Sequence, residues 1–458
     1  MDFLNFFSIY NKFIIISILV LAVSSLIDKA LAIGIIAVIF CVAFTMFFIL
    51  KIEEKNQKKM LGALFLIAFL LHILIVLFLY YTKFQPFSGG FGDYVVYQQQ
   101  AEEISQRVGS GNFSLLGIDL DHYYPVIVGY FYAITVPSML LGQLFNAWLV
   151  ALTIIFVYLI VRQIGGSQEQ GFLTGLIASL YPSLAFYGSL LLKDALVVLL
   201  SVIGLLLTIK VIKKFSWQKF LIFYIVLTGL MYFRFYIGYA LMFGFIASWF
   251  LASTFDFKKR AFFGIIILFV LGFSPQLLNH GYYGFKDLKT FLNPATITYF
   301  REVGSVPTPA VQTQSTPPSE ALIERRMSSI VVETGLENPF TFTKNSSLSF
   351  IYSLLGPFPW QMARKRHLFM LIEIIPWYFL FFFIIKGAVK SFRKQYRDIL
   401  PLIIFTILVI GALSLFITNF GVITRIRMPA FLALLCLLPF GSEKFKKIKI
   451  PVLEKYFK

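Results

Sequence analysis

Residues 124–141 read YPVIVGYFYAITVPSMLL, and whether they cross a membrane decides the fold on either side of them. Apolar runs near the length of a bilayer crossing, about 20 residues at 1.5 Å each, lie at 13–28, 31–50, 60–81, 142–162, 171–191, 195–212, 219–233, 236–253, 261–276, 368–387, 398–417 and 428–441. Counted as one more span, 124–141 would invert everything after it. The basic segments Lys210–Lys219, Phe257–Arg260 and Lys386–Arg397 would then lie outside. Read as a helix along the outer surface, it leaves them inside, together with Lys51–Lys59 and the tail KFKKIKIPVLEKYFK. Short loops rich in Lys and Arg stay on the cytoplasmic side, and the surface reading gathers more than half of the 40 basic residues there. The expected fold is therefore an all-α polytopic membrane protein of about twelve transmembrane helices with juxtamembrane helices on its outer face. Both termini are cytoplasmic in this reading.

Composition agrees. Of 458 residues, 59% are hydrophobic and 14% charged, where a soluble domain has about 45–50% and about 25%. A soluble enzyme is excluded. The 54 Phe residues exclude intrinsic disorder, and 2 Cys inside apolar runs, Cys41 and Cys436, exclude an extracellular disulfide framework. The net charge of +18 follows from topology and attraction to anionic lipid heads, so the partner it implies is membrane lipid and no nucleic acid is needed. The first run lacks a small-residue cleavage site and reads as a retained anchor. Four regions follow: an N-terminal transmembrane hairpin (1–59), a transmembrane module (60–276) with a first outer loop at 82–141, a long outer loop (277–367), and C-terminal helices with a basic cytoplasmic tail (368–458). Within the long loop, SVPTPAVQTQSTPPSE is too poor in apolar residues to pack, which predicts disorder over 305–320. A second surface helix is predicted around 347–359.

The two outer segments carry the candidate residues. The first opens SGGFGDYVVYQQQAEEISQRVGSGN, where Gly89, Gly90 and Gly92 permit a tight turn and a helix starts at Asp93. Asp93, Tyr97, Ala101 and Ile104 share one helical face, with Gln98, Glu102 and Gln106 outside that stripe. Asp93 is either a helix cap or a reactive carboxylate stabilised by the helix N-terminus. Next, GIDLDHYYP sets Asp119, Asp121 and His122 before the surface helix, as a polar loop or a group that orients a phosphate or a metal. LLKDAL puts Lys193 and Asp194 at the outer mouth of two spans, an interfacial pair or a functional one. Arg234, in YFRFYIGY, and Arg425 and Arg427, in NFGVITRIRMPA, break the inner bias of basic charge. Arginine offers a bidentate fork for phosphate oxygens, although long side chains also snorkel to head groups. Glu373, inside a span, demands a partner, which Arg364–Lys365–Arg366 could supply. There is no GxxxxGK[ST], strand-linked GxGxxG or HExxH, so neither an ATPase nor direct use of a nucleotide sugar is supported.

In order, Gly92–Asp93–Tyr94, Tyr97, Ala101, Tyr123–Tyr124–Pro125, Asn146, Tyr158, Arg162, Gly165–Gly166 and LIASLYPSLAFYGSLLLKDAL resemble the GT-C membrane glycosyltransferases. The likeness is to the bacterial branch related to protein O-mannosyltransferases and lipid A aminoarabinose transferases, and it covers roughly residues 60 to 210. It implies an integral protein of the bacterial cytoplasmic membrane with its active site on the outer face. There a sugar passes from a polyprenyl-phosphate or diphosphate carrier to a glycan, lipid or protein acceptor. The family's first-loop acid maps to Asp93, as a base or, in metal-using branches, a metal ligand; its later acid maps to Asp194. No cofactor is required and a divalent metal is compatible. The expected substrate-binding set is Tyr97, Asp121, His122, Tyr124, Lys193, Asp194, Arg234, Glu373, Arg425 and Arg427, the arginines being assigned from topology rather than motif. Two departures stand out: Asp93 is followed by Tyr94 rather than a second acid, and Tyr123 replaces a Lys.

Two other classes share the basic outer residues. A flippase or transporter of lipid-linked sugars would carry charges along several spans and inverted repeats, neither of which the sequence has. A polysaccharide polymerase or O-antigen ligase would not need Asp93. The topological expectation is tested with single cysteines introduced at 168 and 216, which should resist an impermeant thiol reagent in intact cells. Labelling of both from outside would reverse the orientation.

Overall fold

A computed structural model describes residues 25–26, 28–84, 92–118, 120, 123–277, 293, 297, 338–361, 369–417 and 419–442. The run 13–28 (in the main), the stretch 305–320, the cluster Arg364–Lys365–Arg366 and the basic tail beyond 442 lie outside these residues. Among the described residues the regular elements are helices, with no strand. Contacts divide the chain into two compact units, one of residues 1–151 with 188–195 and the other of 152–187 with 196–458.

The first unit begins with α1 (Lys29–Leu50) and α2 (Lys55–Thr82). Asp28 caps α1 by accepting from the Ala30 amide at 2.8 Å, and α1 is pinned to α5 (Met139–Gln163) by Trp148 Nε1 donating to Thr45 Oγ1 at 2.9 Å. Phe40, Phe44, Phe47 and Phe48 of α1 are exposed, an apolar surface suited to lipid. Between α2 and α5 lie α3 (Asp93–Gly109) and α4 (Tyr124–Ala133). Ten residues make α4 about 15 Å long, half of what a crossing needs, so this helix alone is too short to span. It packs on α3 at Gly129, where a Cβ would come within 2.6 Å of Ile104 and 3.0 Å of the Ala101 carbonyl. Only glycine lets these two helices approach so closely.

The second unit contains α6 (Gln168–Ser179), α7 (Pro182–Tyr187), most of α8 (Asp194–Lys213), α9 (Trp217–Ala252), α10 (Phe257–Leu277), α11 (Pro339–Leu355), α12 (Leu371–Phe416), α13 (Phe420–Ile426) and α14 (Met428–Leu435). The run 171–191, expected as a span, is broken. Pro182 disfavours helix at the residue before it and starts α7 afresh, leaving two short helices followed by non-helical residues. Helix α9 is 36 residues long, with non-helical backbone at Arg234. The rings of Phe223 and Phe245 stack at 4.3 Å, although a straight helix would separate them by about 33 Å. The chain therefore doubles back at Arg234, as the runs 219–233 and 236–253 predict. The 46-residue α12 is broken at Gln395 in the same way. Trp377 stacks on Phe431 at 3.8 Å, while Thr406 reaches the adjacent Ala430 carbonyl at 3.4 Å.

Among the described residues, six helices are long and apolar enough to cross a membrane, or seven if α13 and the segment Met428–Phe440, bent by 49°, form one span. Twelve crossings are not reached by this measure. A helix is present where 347–359 was expected to form one, but it starts earlier and ends at Leu355, as α11.

In the second unit, glycines let the backbones of α12 and of the segment after α14 come close together. A methyl at Gly387 would overlap the Leu437 carbonyl, and one at Gly441 the Phe383 carbonyl, whereas Gly411 has open space. Gly387→Ala or Gly441→Ala should each destabilise the protein by about 1–3 kcal/mol. Gly411→Ala should be neutral or raise stability by up to about 1 kcal/mol, through helix propensity. Thermal unfolding of the three purified variants measures this.

Candidate functional site

In the first unit, buried polar residues link α4 and the segment 188–193 to α2 and α5. Gly92 holds the cap position of α3 and has no side chain to cap with, while Asp93 sits in the first helical turn and is exposed. Its carboxylate is thus not the N-cap but belongs to the first helical turn. Tyr94, Tyr97, Ala101, Ile104 and Ser105 form the buried face. Gln98 and Glu102, expected outside that face, are half-buried and linked. Tyr132 donates to Gln98 Oε1 at 2.7 Å, and Gln98 Nε2 donates to Glu102 at 2.6 Å.

Tyr97 and Tyr124 pack with ring centroids 5.8 Å apart. The Tyr124 hydroxyl donates to Asn146 Oδ1 at 2.7 Å, and Asn146 Nδ2 donates to the carbonyls of Leu190 and Leu192 at 2.6 and 2.8 Å. Burial pushes the Tyr124 hydroxyl well above its usual pKa, so it remains a donor. Tyr124 and Asn146 are both fully buried. Asn146 therefore closes the non-helical segment 188–193, which leads straight into Lys193 and Asp194. Those two are buried at 5% and 1% exposure, with Asp194 in the first turn of α8. His72, in the middle of α2, is also fully buried, its Nδ1 3.5 Å from Ser189 Oγ in the same segment. Sequence reasoning missed His72; the signal was a lone ionisable side chain inside an apolar run. Asp119, Asp121 and His122 lie outside the described residues. Among the described residues no three His, Cys, Asp or Glu side chains are grouped as a metal site requires.

In the second unit, Arg234 is buried at the reversal of α9, Arg425 is half-buried on α13, and Arg427 is buried at the bend between α13 and α14. Arg427 Nη2 meets Glu373 Oε1 at 2.8 Å, and its Nη1 donates to the carbonyls of Ser353 and Gly356. Its guanidinium lies 4.5 Å from the ring centroid of Phe431. Glu373 also accepts from the Tyr181 hydroxyl at 3.2 Å, the Ser183 amide at 3.0 Å and the Ser183 hydroxyl. Its partner is thus Arg427, distant in sequence, where the nearby cluster Arg364–Lys365–Arg366 was the expectation. Removing either half of such a buried pair strands a charge and costs about 3–5 kcal/mol.

Residues 123–278 match the family model described as dolichyl-phosphate-mannose-protein mannosyltransferase. The match takes in α4, Asn146, Lys193, Asp194 and Arg234 and leaves out Asp93 and the Glu373–Arg427 pair. No curated protein matches the chain. The family match supports the resemblance to GT-C membrane glycosyltransferases.

The Asn146 network yields a graded expectation. Tyr124→Phe removes one neutral hydrogen bond and should cost about 1 kcal/mol, whereas Asn146→Leu orphans two buried carbonyls and should cost about 2 kcal/mol or more. Thermal unfolding of both variants is the measurement. Equal, small effects would show that Asn146 does not hold the segment.

Proposed function

We propose that the protein transfers a sugar from a polyprenyl-phosphate carrier to a hydroxyl or amine of a glycan, lipid or protein acceptor on the outer face of the membrane. The observation that carries this reading is Asp93. It is an exposed carboxylate in the first turn of α3, with the cap position already taken by Gly92, in a chain whose residues 123–278 match the dolichyl-phosphate-mannose-protein mannosyltransferase family model.

The chemistry asks little of the protein. The acceptor oxygen or nitrogen attacks the anomeric carbon, the bond from that carbon to the phosphate oxygen breaks, and polyprenyl phosphate leaves with the electron pair. Asp93 takes the acceptor proton, which general-base catalysis rewards by about 10²–10⁴-fold. The phosphate is a competent leaving group once fixed positive charge meets it, a role we assign to Arg425 and Arg234. Lys193 and Asp194, buried at the head of α8, are assigned to the donor headgroup. Tyr97 and Tyr124 act through the helix packing that holds α3 and the segment 188–193.

The test is sugar transfer from a purified polyprenyl-linked donor by matched, folded preparations. Asp93→Asn should lower turnover about 10²–10⁴-fold with donor binding intact, because an amide does not accept the proton. Near-normal turnover would remove Asp93 from the mechanism. EDTA and added divalent ions on the wild type separate a base from a metal ligand: a base is indifferent to both. Arg425→Ala should raise the donor KM with a smaller effect on kcat.

A further inference from the structure

Arg427 stands two residues from Arg425 and is an outer arginine by the same reading, yet it is buried where Arg425 is half-buried. It is 1% exposed. One terminal nitrogen is held by Glu373 and the other by two backbone carbonyls. A phosphate approaching this guanidinium would have to displace a carboxylate that is itself anchored by Tyr181 and Ser183. The pair draws together four places where helices of the second unit stop or bend: the break between α6 and α7 at Tyr181–Ser183, the end of α11 at Ser353–Gly356, the start of α12 at Glu373, and the bend between α13 and α14. Arg427 is itself the bend residue, its amide donating to the Ile423 carbonyl and its carbonyl accepting from the Phe431 amide. Asn419 caps the other end of α13 through the amides of Gly421 and Val422. The seven-residue helix carrying Arg425 is thus fixed at both ends.

We propose that Arg427 is a positioning residue: bound to Glu373, it fixes the bend after Arg425 and so holds the Arg425 guanidinium at the donor phosphate, without touching the donor itself. This rests on the polyprenyl-phosphate donor proposed above. A guanidinium tied to a carboxylate and two carbonyls has little attraction left for an anion, whereas a short helix clamped at both ends delivers its remaining arginine with little conformational entropy to lose on binding.

The variant that separates the possibilities is Glu373→Gln, which keeps every side chain in the node but removes the carboxylate charge. If Arg427 positions Arg425, Glu373→Gln should raise the donor KM about tenfold with little change in kcat, because the bend loosens. In the Arg425→Ala background the same change should have no further effect on donor KM, since residues acting through one another are not additive. A direct phosphate ligand would behave oppositely: freeing Arg427 from its carboxylate would leave donor KM unchanged or lower it. A purely architectural pair would lower the unfolding temperature and leave donor KM unmoved. Either result, or additive effects in the double variant, overturns the proposal. Should Glu373→Gln fail to fold, Ser183→Ala and Tyr181→Phe loosen the carboxylate while preserving the ion pair, and the same KM comparison applies. An unchanged donor KM in Arg425→Ala alone would also overturn this proposal, whereas no sugar transfer from the polyprenyl-linked donor by the wild type would instead sink the donor reading, so the two failures are told apart.

Discussion

In hydrocarbon, a backbone amide or carbonyl without a partner has no water to turn to. An unbroken helix meets that demand internally. A helix that stops or bends leaves carbonyls over, and in both units polar side chains answer them. In the first unit Asn146 serves Leu190 and Leu192. In the second, Lys213 serves Gln163 at 2.8 Å, Gln395 serves Ile164 at 2.7 Å, and Arg427 serves Ser353 and Gly356. Lys213 is held in turn by Asp398 at 2.8 Å. These polar residues meet the carbonyls that the breaks leave over.

The same constraint explains where chemistry can reside. A straight apolar helix offers a substrate nothing but methyls and rings. Most residues proposed for the chemistry stand where helices begin or bend: Asp93 in the first turn of α3, Lys193 and Asp194 at the head of α8, Arg234 at the reversal of α9, Arg425 beside the bend after α13. Placing them there stabilises acids at helix starts through the backbone dipole.

Much of this was legible in the sequence because it is local. Run length identified the long helices, the short turn around Arg234 announced a reversal, and the glycines before Asp93 located the start of α3. The surface reading of 124–141 came from charge distribution; what the structure adds is that the helix there, Tyr124–Ala133, is ten residues long. What the sequence did not disclose was pairing at a distance. Glu373 signalled that a partner was needed, but nothing in its neighbourhood pointed to Arg427. His72 was hidden because one polar residue barely perturbs an apolar run. The break at Pro182 was masked by strong hydrophobicity on both sides, and the link from Gln98 to Tyr132 needed the packing of α4 on α3, which periodicity along α3 alone does not contain.

The reversal at Arg234 has a consequence for biogenesis. Two halves joined without a loop, with Phe220, Phe223 and Phe245 stacked between them, are suited to entering the bilayer as one closed body rather than one after the other. When both ends of such a hairpin stay on the side of synthesis, its tip makes the only full passage, and here the tip carries a guanidinium. Insertion scales put that passage at about 2.5–3.5 kcal/mol, which the apolar surface of two attached helices outweighs.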